Sequence, residues 1–224
     1  MTEQSLYRLM SWLSPTYPVG SYTYSHGLEN AVEQGLISDA DSACNWISDI
    51  LSLGSGIMDL VFVSEAYDAV DLPDRMRHVA ELAFTFQPTA EISLESRAQG
   101  EAFLKVTTAA WHCDALDMLQ KAWAGPYVYP VVVGVAAMGH GIDKIETLVA
   151  YAHSFIANLV SALVRLIPLG QTDGQQITAL LAADIDEVVQ QALTTPLESV
   201  SSTTLIADIV SMQHETQYTR LFRS

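Results

Sequence analysis

Residues 143–168 read "DKIETLVAYAHSFIANLVSALVRLIP". Asp143 and Glu146 stand where an N-terminal cap belongs, apolar residues then recur at three- and four-residue spacing, and Pro168 closes the pattern. The spacing predicts one long helix from Asp143 to Ile167. Ala150, Ser154, Ala157 and Ser161 share a stripe of this helix, and small residues there let a neighbouring helix approach closely. A central position in a helical bundle is expected.

Working outward, the same period governs almost the whole chain, and no run of period-two alternation is long enough to suggest a sheet. Leu28, Ala31, Val32, Gly35 and Leu36 form one stripe. "SDAD" at 38–41 resembles a capping box opening a helix through Trp46, Ile50 and Leu51, which "GSG" at 54–56 should end. Further helices are predicted from about Ile57 to Val70, from Pro73 at a first helical turn to Phe86, from Thr89 to Trp111, and from Asp114 to Trp123. Thr172 with Gln175 caps a helix to about Leu193, and a last element begins near Ser202. No linker and no internal repeat divides the chain. The prediction is an all-α fold: one domain over 1–224, of eight to ten helices, with a flexible tail at about 212–224.

Residues 122–142, "AWAGPYVYPVVVGVAAMGHGI", lack charged side chains over a length that could span a membrane. Pro126, Pro130 and four glycines interrupt them, so a buried core helix beginning near Tyr129 is the expected form. Half of the 224 residues are apolar, enough for a substantial core. Ten Lys and Arg against 26 Asp and Glu leave a net charge of −16, which repels phosphate backbones and anionic headgroups, so neither nucleic acid nor membrane is an expected partner. The start, "MTEQSLYRLMSW", lacks the basic and long apolar regions of a signal peptide, and a cytoplasmic location is expected. Cys44 and Cys113 are far apart and outside any CxxC spacing, consistent with two reduced, buried thiols.

Catalytic patterns fail one by one. Ser25 and His26 are sequence neighbours, which diverge on a helix, and Thr23 stands where a GxSxG elbow needs glycine. Ser25 reads better as a helix-start hydroxyl. "HETQY" at 214–218 begins like the zinc motif HExxH but has Tyr218 for its second histidine. His112, Cys113 and Asp114 would point to different faces, and His26, His78, His140 and His153 are isolated, so no metal or other cofactor is expected. "GQTDGQ" at 170–175 has neither the spacing nor the Lys of a P-loop. Glu91 and Glu95 share a helix face, where solvated carboxylates are the expectation in so acidic a chain. What remains is recognition: Tyr218, Leu221 and Phe222 lie at i, i+3 and i+4 beside Arg220 and Arg223, residue types favoured as interface anchors.

The blocks "PVGSYTYSHGLENAVEQG" (18–35), "ELAFTFQPTAEISLESRAQGEAF" (81–103), "VRLIPLGQTDGQ" (164–175) and "HETQYTRLFRS" (214–224) resemble, in order and spacing, the UreF family of urease accessory proteins. The likeness covers essentially the whole chain. Gln213, where many relatives have Arg, and the weakly charged "TAEISLES" depart from the family pattern. The resemblance implies an all-helical protein that is not an enzyme and that binds UreD (UreH in some organisms). It further implies recruitment of the nickel-carrying GTPase UreG, docking on apo-urease, help in delivering nickel, regulation of GTP hydrolysis, and pairing with a second copy inside the complex. Partner contacts are then expected from Tyr22, Ser25, His26 and Glu29 in the first block and from Arg165 and Gln171 in the third. The last block would contribute His214, Glu215, Tyr218, Arg220, Leu221, Phe222 and Arg223, with the tail mobile until UreD orders it. A small-molecule binder or enzyme that uses the all-α core as a pocket is the alternative.

Overall fold

The computed structural model describes residues 2–224, and all regular structure in them is helical. Helix α1 (Glu3–Trp12) leads through a 3-10 turn (Ser21–Thr23) to a short α2 (Leu28–Glu33). There follow α3 (Ala40–Leu53), α4 (Ser55–Asp68), α5 (Pro73–Thr85), α6 (Ala90–Ala110), α7 (Asp114–Ala122), α8 (Tyr129–Gly139) and α9 (Lys144–Leu166). Helices α10 (Gln171–Leu180) and α11 (Ala182–Thr194), a second 3-10 turn (Leu197–Ser199) and α12 (Leu205–His214) complete the order. The described residues thus hold twelve α-helical segments where eight to ten were expected. The surplus is α1 and a break at Leu181 that splits the helix expected over 172–193.

Local chemistry sets the helix ends. The Asp39 carboxylate accepts from the Ser42 amide at 2.9 Å while Ser42 Oγ accepts from the Asp39 amide at 3.1 Å, a reciprocal box one residue later than the one expected at "SDAD". Asp143 accepts from the Glu146 amide at 3.1 Å at the start of α9. At α10 the capping group is Asp173, which accepts from the Gly170 amide at 2.7 Å, rather than the expected Thr172 with Gln175. Helix α2 ends at Glu33, two residues before Gly35, so Leu36 leaves the predicted stripe and is exposed.

Helices α4 and α8 form the centre. Residues Pro130–Ala137 of α8 are all buried, as are most positions of α4. The two backbones touch at Gly134, where a Cβ would sit 2.4 Å from the Val63 carbonyl oxygen. Phe62 and Phe103 are fully buried, and truncating either to Ala would cost about 3–5 kcal/mol. The stretches 40–68 and 144–166 are long and apolar enough to cross a membrane, but 72% and 50% of their most apolar windows lie inside the bundle. Cys44 and Cys113 are free and half-buried rather than fully buried.

Helix α9 takes the central place expected, against α2, α3, α4, α8, α10 and α11, but uses its small-residue stripe differently. It buries Leu148, Tyr151, Ile156, Leu159 and Leu163, but Ala150, Ser154 and Ala157 are only partly covered and Ser161 is exposed. The small-residue stripe is therefore not a helix seat, and its Ser154, Ala157 and Ser161 line a cavity. The tail also differs from expectation: it packs back on the bundle, with Phe222 4% exposed and Ser224 fully buried. The apolar triplet alone would not hold it, but a set of hydrogen bonds to buried carboxylates and main chain does.

Candidate functional site

The segment "YSHGLE" (24–29) reverses direction sharply before α2. His26 and Gly27 adopt consecutive left-handed conformations, with φ of 58° and 78°. A side chain at Gly27 would also collide with α12, since its Cβ would lie 2.9 Å from Ser211 Cα. Glycine is required there for both reasons. The turn aims Ser25, His26 and Glu29 inward, where they are 0%, 8% and 9% exposed. Ser25 does not cap α2 as expected; its amide and its hydroxyl both donate to the Ser224 main-chain oxygen.

Glu29 organises the tail. One carboxylate oxygen accepts from the Leu221 amide at 2.7 Å, and the other accepts from the Phe222 amide at 2.9 Å and lies 3.3 Å from His214 Nε2. On its other side the His214 ring meets Glu91 at 2.7 Å, and Arg220 reaches the second oxygen of Glu91 at 3.2 Å. Burial pushes the Glu91 carboxyl up, opposed by His214 and Arg220. Arg165 donates to the Tyr22 carbonyl at 2.9 Å and to the Ser161 carbonyl at 3.1 Å, and its guanidinium lies 4.3 Å from the centre of the Phe222 ring. Arg223 donates through its amide to the Thr23 carbonyl at 2.8 Å.

Beneath this clasp lies a second polar cluster. His26 Nε2 meets Ser55 Oγ at 2.7 Å, and Nδ1 lies 3.5 Å from Glu95 without a hydrogen bond. The order Ser55, His26, Glu95 resembles a hydrolytic relay, but an imidazole left unbonded at Nδ1 lacks the oriented tautomer that such a relay needs. Ser224 Oγ instead donates to the same Glu95 oxygen at 2.9 Å. Burial alone would lower the His26 pKa; the Glu95 carboxylate, with Asp59 and Asp208, outweighs it and leaves the ring more basic than usual. Burial drives Asp59 up to about 7, against the opposing pull of the Tyr151 hydroxyl, which donates to it at 2.7 Å, and of His26. Among the described residues, no three His, Cys, Asp or Glu gather in a way that could hold a metal ion.

Of the residues expected at a partner surface, Ser25, His26, Glu29, His214 and Phe222 are buried in contacts within the chain. Tyr22, Gln171, Glu215, Tyr218, Arg220, Leu221 and Arg223 face solvent to differing degrees, with Tyr218 fully exposed. Tyr22, in the 3-10 turn before α2, and Arg165, on α9, join the clasp, whereas Gln171 sits on the first turn of α10 and takes no part. Glu91 and Glu95 are not the solvated carboxylates expected: α6 turns both inward, Glu91 with 6% exposure. Sequence reasoning missed Ser55, Asp59, Tyr129 and Tyr151 altogether. The one available signal was Asp59, an acid inside an otherwise apolar helical run.

The chain matches the family model described as UreF over residues 37–182. It is 46% identical over 222 residues to a urease accessory protein UreF of Bradyrhizobium diazoefficiens, covering 98% of this chain and 92% of the relative. Identity is 47% to the Rhodopseudomonas palustris BisB5 protein of the same name, with 98% and 91% covered. For that of Granulibacter bethesdensis it is 44% over 224 residues, with 99% and 95% covered. Matches of this extent, together with the all-helical fold, show that the chain belongs to the UreF family of urease accessory proteins.

Proposed function

We propose that this protein is a non-catalytic assembly factor for urease, which binds UreD, recruits or regulates the GTPase UreG, and so promotes nickel insertion into apo-urease. The observation that carries the reading is an apolar band on the outer side of α12. Leu205, Ile206, Ile209 and Met212 are 67%, 56%, 40% and 50% exposed, while Val210, Ser211 and His214 face inward. Tyr218 and Leu221 add exposed apolar surface from the tail, beside Arg220 and Arg223. A soluble chain with this much uncovered apolar surface on one short helix is suited to docking on another protein. Action in the cytoplasm fits the two free cysteines, and pairing with a second copy within the complex belongs to the same reading.

Copurification tests it. Full-length protein carrying Ile206→Asp and Ile209→Asp, expressed with UreD and UreG, is expected to keep its helical circular dichroism and to lose both partners. Normal recovery of UreD by the folded double variant would remove the α12 band from the account.

A further inference from the structure

The stripe of small residues on α9 forms one wall of a cavity of about 270 Å³ that reaches down to the polar cluster under the tail. That volume falls just below the ~300 Å³ at which drug-sized ligands are held, so it suits a fragment the size of a long side chain. The chemistry of its lining is one-sided. Asp59 and Glu95 both face it, His26 is its one imidazole at depth, and neither Lys nor Arg contributes to the wall. One acceptor is left free there, because Glu95 already takes hydrogen bonds from Gln99 at 3.1 Å and Ser224 at 2.9 Å on its two oxygens. Asp59 takes its hydrogen bond on one oxygen only, from Tyr151, and among the described residues no donor reaches the other. Among the described residues His26 Nδ1, on a side chain 8% exposed, is buried without a hydrogen bond and stands 3.5 Å from Glu95. Polar atoms that line an interior space are ordinarily satisfied, so an unused carboxylate oxygen and an unbonded imidazole nitrogen beside two carboxylates point to a ligand that carries N–H donors. Val19, Ile92 and Phe155 supply apolar wall beside them.

We propose that this cavity binds a small organic monocation, an alkylguanidinium or alkylammonium, with its N–H donors on Asp59 and Glu95 and its stem against the apolar wall. A dehydrated metal ion fits less well, because no three ligand side chains converge. The charged head restores the balance that two carboxylates and one imidazole leave unmet.

The groups facing Asp59 are Tyr151 from α9, Tyr129 from α8, Glu95 from α6 and His26 from the turn before α2, with Asp208 of α12 behind His26. A bound cation favours ionised Asp59 and neutral His26, so affinity should rise as pH increases through the neutral range. Titration of the full-length protein with n-butylguanidinium, followed by ligand-observed NMR and calorimetry, tests the site. A Kd of about 1 mM or tighter is expected, within reach of so small a ligand. The uncharged n-butylurea should bind about tenfold more weakly or worse. Asp59→Asn keeps the shape and an acceptor for Tyr151 while removing the charge, and should weaken the guanidinium at least about tenfold and flatten its pH dependence. Ala157→Leu, at a partly exposed helical wall position, should weaken it through steric filling. Equal binding of n-butylurea, or undiminished binding by both folded variants, overturns the proposal, as does saturation by nickel(II) but not by the guanidinium. The same cationic head exists on free alkylamines and on Arg or Lys of a docked protein. Displacement of n-butylguanidinium by UreD would assign the site to a partner side chain, and its retention in the UreD complex to a free amine.

Discussion

Replacing Glu29 by Ala removes the acceptor on which the tail is hung. In the native chain that carboxylate receives the Leu221 and Phe222 amides at 2.7 and 2.9 Å and sits against His214 at 3.3 Å. Hydrogen bonds to a charged group contribute about 1.5–3 kcal/mol each, so the two amides alone set the loss at about 3 kcal/mol or more. His214 loses its Glu29 contact in the same variant, and contacts that share one carboxylate do not add. A loss of about 3 kcal/mol moves the docked-to-released equilibrium of residues 217–224 by about 100-fold. Hydrogen exchange reads this directly: in Glu29→Ala the Leu221 and Phe222 amides should exchange about 100-fold faster while α4 and α8 keep their protection. If tail release precedes global unfolding, the melting midpoint falls less than the ~6–12 °C that 3 kcal/mol implies for a chain of this size. Unchanged protection of the two amides would refute the assignment of Glu29 as the clasp.

Three further outcomes follow from the geometry. Arg165→Ala, which removes a guanidinium 4.3 Å from the Phe222 ring and a donor to the Tyr22 carbonyl, should loosen the tail by about 1–2 kcal/mol, seen as faster exchange at Phe222 with little change in melting. Gly27→Ala places a Cβ 2.9 Å from Ser211 Cα at a φ of 78°, and should destabilise the chain by about 1–3 kcal/mol in chemical denaturation. Asp59 binds its proton more tightly folded than unfolded, since its pKa rises from 3.8 to about 7, so it costs stability increasingly as pH climbs through that interval. His26, also raised, loses its stabilising proton as pH passes through its folded pKa, which works in the same direction. Asp59→Asn should therefore melt at or above the native midpoint at pH 8, and the difference should shrink toward pH 5.

Much of the fold was legible because periodicity and caps are local. Asp143 caps where the sequence placed a cap, the box that opens α3 falls one residue later than "SDAD" indicated, and Tyr129 opens the buried helix that the membrane-length apolar run concealed. The site was less legible because its partners lie far apart in sequence. Glu29 meets residues 214, 221 and 222, and His26 meets Ser55 and Glu95, pairings that no spacing rule encodes. Glu29 and Arg165 are expected at a partner surface from the resemblance alone, and no sequence rule shows that both also take part in the chain's own clasp. Glu91 and Glu95 were set aside as solvent-facing, since an acidic composition cannot tell which carboxylates a helix turns inward. The tail was expected to be loose because three apolar residues bury too little; the hydrogen bonds to Glu29 and Ser25 were invisible at that level.

The most direct test of the account is the nickel content of urease purified from cells that make urease, UreD and UreG with the native chain, with its Ile206→Asp, Ile209→Asp form, or with neither. The account predicts nickel-loaded, active urease with the native chain and largely nickel-free enzyme in the other two. Equal nickel loading in all three would contradict it.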